Sequence, residues 1–284
     1  MAHTPNPLAG FYRAPKLYTR LPTQGKFYGD DVINWPENGE LPVYSMTAKD
    51  EMIMKNPDAL LNGEAVAQVI ASCVPAVQRP RDLISNDVDT LLIAIQGATM
   101  GDEIEISESC SNCKEEINTV ASIDAALDSM TLLKESYQFN TDTGLTIEIR
   151  PYTYESTVKA GVANFQSTRS LQSLQNITDE MEQIRAFNDS FLQIAALNFD
   201  LMVDSVGSIS GVDAEGDEFI VTDRAQIREF LENCDGSIGK TVEDSIKQVN
   251  DLGVAKSIML ECDACGHTFE KEIGFDPVNF FTAS

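Results

Sequence analysis

The residues best suited to chemistry in this chain are four cysteines in two pairs. Cys110 and Cys113 stand in Ser-Cys-Ser-Asn-Cys-Lys, and Cys262 and Cys265 in Glu-Cys-Asp-Ala-Cys-Gly-His. Two Cys-x-x-Cys knuckles supply four thiolates, the ligand set of a structural Zn2+ with no open position for a substrate. Each pair lies between alternating segments, 103–106 and 117–120 around the first, 257–260 and 268–273 around the second. Zinc-ribbon hairpins present their thiolates in this way. Cys113 and Cys262 are 149 positions apart. Closing so long a loop costs about 4 to 5 kcal/mol, whereas structural zinc in finger peptides binds with about 10 to 16 kcal/mol. A metal is therefore strong enough to hold the join. A redox Cys-x-x-Cys pair, or disulfides formed on oxidation, are the alternatives. Glu108, Glu115, Glu116, Glu261 and Asp263 crowd the thiols with negative charge, which Lys114 and Lys271 offset in part. His267 is a substitute ligand by type, but beside four cysteines it reads as a neighbour of the site.

Other chemistry is scarce. The only histidines are His3 and His267, which leaves little for a Ser-His-Asp or Cys-His arrangement. Gly236-Ser237-Ile238-Gly239-Lys240-Thr241 imitates the end of a phosphate-binding loop, yet Cys234 stands where its first glycine belongs. Asp213, Glu215 and Asp217 are spaced like calcium ligands without the rest of that pattern, and read as a turn. No catalytic residue and no small-molecule substrate is expected.

The 284-residue chain carries 20 basic and 45 acidic side chains, a formal net charge of −25. Such a surface repels phosphate backbones and anionic lipid, which argues against the nucleic-acid role that zinc ribbons otherwise invite. The longest apolar run, 65–77, is interrupted by Gln68 and Pro75, so neither a membrane span nor a secretion signal is expected. Cys73 reads as a small core residue, and Cys234 has no evident partner. The cysteine usage fits a reducing cytosol.

These residues imply an α+β chain in four parts. Residues 1–30 form an extended basic and aromatic arm, rich in proline and without an acid before Asp30. It is suited to lie across an acidic neighbour or back on its own body. Residues 31–120 form a mainly helical N-terminal domain ending in the first zinc knuckle. A hairpin of 32–35 with 41–46 is expected there, then helices opening at Thr47, after Gly63 and near Asp87. Residues 121–256 form an inserted α+β domain. It holds a strand at 145–149 and a helical hairpin whose second helix carries Met181, Ile184, Phe187, Phe191, Ile194 and Leu201. That stripe reads as intramolecular core. A strand pair at 206–212 and 218–221 follows, with helices opening at Asp223 and Thr241. Residues 257–284 hold the second knuckle and a tail in which Phe280 and Phe281 are expected to dock on another surface.

Several segments taken together resemble the baseplate hub and assembly proteins of T-even-type contractile-tailed bacteriophages. They are 21–28 (Leu-Pro-Thr-Gln-Gly-Lys-Phe-Tyr), 47–51 (Thr-Ala-Lys-Asp-Glu), Asn62-Gly63-Glu64, Asp87 with Leu91-Leu92, 97–101 (Gly-Ala-Thr-Met-Gly), 150–154 (Arg-Pro-Tyr-Thr-Tyr), both knuckles and 275–281. Gln96 and Met100 depart from that pattern, where an arginine and a tyrosine are common. The resemblance implies a non-enzymatic structural component of the tail baseplate, hub or hub-proximal. Such a protein is made in the host cytoplasm and joined to other baseplate proteins in a heteromeric assembly. A baseplate assembly factor absent from the finished virion is the alternative, and a zinc-ribbon nucleic-acid factor a third.

Overall fold

The computed structural model describes residues 8, 11–174, 180–255 and 257–272. His3, Phe280 and Phe281 lie outside them. Antiparallel strands β1 (Pro15–Thr19) and β2 (Leu41–Tyr44) come first. Helix α1 (Ala48–Met54) starts at a capping box: the Thr47 hydroxyl oxygen accepts the Asp50 N–H, and the Asp50 carboxylate accepts the Thr47 N–H at 2.8 Å. Asn56 caps α2 (Pro57–Leu61), whose first residue is a proline with no N–H to satisfy. Helix α3 (Glu64–Cys73) follows Gly63, held at φ 74°.

Helix α4 (Ser85–Met100) organises the first core, and every residue from Thr90 to Gln96 is buried. A helix apolar on all sides has no solvent face to offer, so β1, β2 and α3 close around it. Its first turn also fixes the chain before it. The Asp87 carboxylate accepts the Thr23 N–H at 3.1 Å, the Thr23 hydroxyl, and the Tyr28 hydroxyl at 2.6 Å. Burial lifts this carboxyl to about 6, against the hydrogen bonds from Thr23 and Tyr28 that favour its charge. Burial, and then the Asp87 charge, push the Tyr28 hydroxyl well above its usual range.

Strands β3 (Glu103–Ser109) and β4 (Glu116–Ser122) form a hairpin, and Ser122 caps α5 (Ile123–Asp128). A second core is built on the antiparallel sheet β5 (Tyr137–Asn140), β6 (Thr146–Ile149), β7 (Val206–Val212) and β8 (Glu218–Val221), in that order. Between β6 and β7 runs the helical hairpin of α6 (Tyr154–Leu174) and α7 (Glu180–Ser205). Helices α8 (Arg224–Asn233) and α9 (Gly236–Asn250) bring Ile227, Leu231, Val242, Ile246 and Val249 onto Ile147, Ile149, Val206 and Ile209 of the sheet. The chain ends its described part in the hairpin β9 (Ser257–Glu261) and β10 (Thr268–Glu272). The two cores are tied together. Asn86 Nδ2 donates to the Leu252 carbonyl at 2.7 Å, the Thr131 N–H to Gly253 at 2.9 Å, and the Tyr154 N–H to Leu83 at 2.7 Å.

Four expectations are corrected. Residues 32–35 are not the partner of β2, which pairs with β1; Ile33 makes only an isolated bridge to Val77. The backbone of this stretch is engaged elsewhere: the Gln78 N–H donates to the Val32 carbonyl at 2.9 Å and the Asn34 N–H to the Ala76 carbonyl at 2.8 Å. The supposed extended arm is therefore body from β1 onward. Arg13 donates to the carbonyl and hydroxyl of Ser72 at 2.7 and 2.8 Å and pairs with Asp50. Helix α9 opens at Gly236, five residues before Thr241, because Asp235 accepts the Ser237 N–H and caps it there. Finally, the stripe on α7 is not core: Met181, Ile184, Phe187 and Phe191 are exposed and Ile194 and Leu201 half-buried, while the buried Val203 lies off the stripe.

Candidate metal centre

The β3–β4 and β9–β10 hairpins present their turns to each other, and all four cysteines meet there. The sulfur atoms of Cys110, Cys113, Cys262 and Cys265 lie within 4.8 Å of one another. Cys110 Sγ is 3.7 Å from Cys265 Sγ, and Cys113 Sγ is 3.6 Å from Cys262 Sγ. A tetrahedron with metal–sulfur bonds of about 2.3 Å has edges of about 3.8 Å. A disulfide needs about 2.05 Å. The spacing thus matches a shared ion, and the cluster can hold a metal.

The two knuckles are near-copies in backbone as well as in sequence. The residue after the second cysteine takes the left-handed conformation in both, Lys114 at φ 65° and Gly266 at φ 65°. In each, its N–H reaches back to the first cysteine's carbonyl, at 3.0 Å for Lys114 to Cys110 and 2.7 Å for Gly266 to Cys262. The first cysteine of each knuckle is buried and the second exposed. Cys110 and Cys262 share a small apolar cluster with Ile117 and, partly, Phe269.

The N–H groups of Cys113 and then Asn112 favour the Cys110 thiolate and lower that thiol to about 6, although burial opposes them. At Cys113 the Glu115 N–H pulls downward, but the Cys265 thiol, burial and the other two thiols outweigh it and carry the group up to about 12. Two polar contacts join the knuckles beyond the thiols. Lys271 pairs with Glu108, which holds that carboxyl below its ordinary value. His267 Nε2 lies 3.0 Å from Ser111 Oγ and its ring stacks on Phe269, so it is a bridge beside the cluster and not a fifth ligand. Ser111 and Asn112 were not singled out from sequence. Asn112 Nδ2 stands 3.7 Å from Cys265 Sγ, and the only sequence signal was their polar character inside a knuckle.

The other grouping of metal-type side chains among the described residues is the exposed acidic turn between β7 and β8. Asp213 Oδ1 already accepts the N–H groups of Glu215 and Asp217 at 2.9 Å each, so it shapes the turn. At the loop-like Gly236–Thr241 stretch, the Asp235 carboxylate fills the helix end where a phosphate would sit. No helix among the described residues is long and apolar enough to cross a membrane.

Fold and site together define an α+β protein whose two hairpins are joined by a four-cysteine centre of zinc-ribbon type. A family model described as T4 bacteriophage base plate protein matches residues 31–282, and the chain belongs to that family. No curated protein and no solved structure matches it.

Proposed function

We propose that this chain is a non-enzymatic structural component of a contractile-tail baseplate, hub or hub-proximal, and that its four thiolates hold one structural Zn2+. The observation that carries the reading is the family match over residues 31–282, which takes in both cores and both knuckles as one unit. Four thiolates at tetrahedral spacing favour zinc over harder ions, and their closed set favours a structural role. Zinc here would staple two hairpins that the sequence separates by 149 positions. The acidic surface favours protein partners, the other baseplate proteins, over nucleic acid.

Mass spectrometry of purified virions tests the role. The polypeptide is expected in finished tails; its presence in infected cells but not in virions would make it a transient assembly factor. Elemental analysis of protein purified without chelator is expected to give about one zinc per chain. Tight, salt-dependent binding of nucleic acid would instead support the nucleic-acid factor.

A further inference from the structure

The four-stranded sheet ends in β5, whose outer edge pairs with no other strand among the described residues. The Thr141 N–H donates to the Leu145 carbonyl at 2.8 Å, and along an antiparallel pair the bonded and non-bonded positions alternate. Tyr137 and Phe139 therefore turn their backbone groups to β6, and the N–H and C=O groups of Gln138 and Asn140 face outward. Such an edge is a template for one more strand. Beside it runs a cleft of about 450 Å³, walled by Lys134, Tyr137 and Phe139 on one side and by Ser245, Val249 and Leu252 on the other. Lys134 is the one charged residue lining it among the described residues.

We propose that residues 273–284 of the same chain occupy this cleft and lie along β5 as a fifth strand. Reach gives the first reason. Glu272 pairs with Ser257, and Ser257 comes five positions after Leu252, so at most about 18 Å separates it from the cleft. The twelve residues after Glu272 span up to about 40 Å when extended, enough to enter the cleft with residues to spare. Composition is the second reason. Ile273, Phe275, Val278, Phe280 and Phe281 are apolar and Asp276 is the only charge in the segment, which complements apolar walls and a single cation. Strand propensity is the third. The four residues of β5 extend about 13 Å, and Val278-Asn279-Phe280-Phe281 offers four residues without proline or glycine, three of them strand-favouring. Direction follows from the entry point. The Thr131 N–H is bonded to the Gly253 carbonyl, so the Leu252 end of the cleft is the start of β5. The segment then runs parallel to β5, with Asp276 beside Lys134 and 278–281 bonded to the outward groups of Gln138 and Asn140. The inference does not depend on the baseplate reading.

Hydrogen exchange of the full chain, read at single amides by mass spectrometry, tests this. The Gln138 and Asn140 amides are expected to exchange about tenfold or more slowly than in the Phe280→Ser, Phe281→Ser variant, at every protein concentration. Lys134→Glu reduces that slowing by about threefold or more, and adding Asp276→Lys restores it. Amides that exchange as fast in the parent as in the double-serine variant overturn the proposal, and so does a charge exchange that fails to restore the slowing. Slowing that grows with protein concentration also overturns it, because the occupant is then a second copy. Slowing that appears only when other baseplate proteins are added does the same, because the strand is then a partner's.

Discussion

Stripping the metal from the four-cysteine centre should open the hairpin join while leaving both cores folded. The structure sets the magnitudes. Thr131 and Gly253 are already hydrogen-bonded at 2.9 Å by the folded body. The loop that the join closes is therefore roughly thirty residues, at a cost of about 3 kcal/mol, and not the full separation of 149 positions. Against this stand Ile117, buried, and Phe269, half-buried, together worth about 3 to 4 kcal/mol. The half-exposed Glu108–Lys271 pair adds little, because solvent screens it. Without metal these terms nearly cancel, whereas zinc adds about 10 kcal/mol or more. Hydrogen exchange read by mass spectrometry should show peptides from β3–β4 and β9–β10 losing protection on chelation, with α4 unchanged. Cys262→Ser should act like the chelator. If the hairpins keep their protection in metal-free protein, or if native protein holds no metal and all four thiols alkylate freely, the reasoning fails.

Three further outcomes follow from the cores. Asp87 has a folded value of about 6 against an ordinary 3.8, so its contribution to stability is present below about pH 4 and lost as pH rises through 6. The shift corresponds to about 3 kcal/mol; Asp87→Asn removes it, so in urea titrations the variant should gain on the parent by that order from pH 4 to 7, and a pH-independent difference would refute the assignment. Gly63→Ala places a Cβ 2.5 Å from Val158 Cγ2 and 2.9 Å from Tyr154 Oη at φ 74°, while Gly39→Ala, at φ 71°, meets nothing within 4 Å. The first should cost about 2 to 4 kcal/mol and the second about 1, and equal losses would show that the close approach of Val158 and Tyr154 to Gly63 carries no constraint. Deleting residues 1–28 should unfold the first core, because it removes β1, Leu21 and the donors to Asp87; a truncated chain with an unchanged thermal midpoint would show that this segment is dispensable.

Where a structural decision is local, the residues announce it. Thr47 and Asp50 form the cap at the start of α1, the Asp223 carboxylate accepts the Gln226 N–H at the start of α8, and the knuckle hairpins and the β7–β8 pair follow from alternation around turns. Partner choice between distant segments is less visible. A hairpin of 32–35 with 41–46 is what the local sequence suggests, but β2 pairs with β1, a strand whose proline lies at its start, where a missing N–H costs little. Asp87 looked like one more acid in a first helical turn. Its burial depends on Thr23 and Tyr28, more than fifty positions away, supplying donors to one carboxylate.

The stripe on α7 shows why spacing alone could not separate core from interface. Residues three and four apart share a face whatever covers that face, so the same periodicity describes the half-buried Leu201 and the exposed Phe187. The difference lies in length. An α-helix rises about 1.5 Å per residue, so Phe187 sits about 24 Å from Val203 along α7, beyond the reach of the sheet and helices that bury its other end. Helix α6 packs against α7, and Ser190 on α7 is buried. The flanking charge carried a clue that periodicity did not: an exposed helix on a chain of −25 would ordinarily be studded with acids, and from Met181 to Phe199 this one has two, with Arg185 between them. Sparse charge on a face too long for its own core is the pattern expected of a surface selected for contact with another molecule.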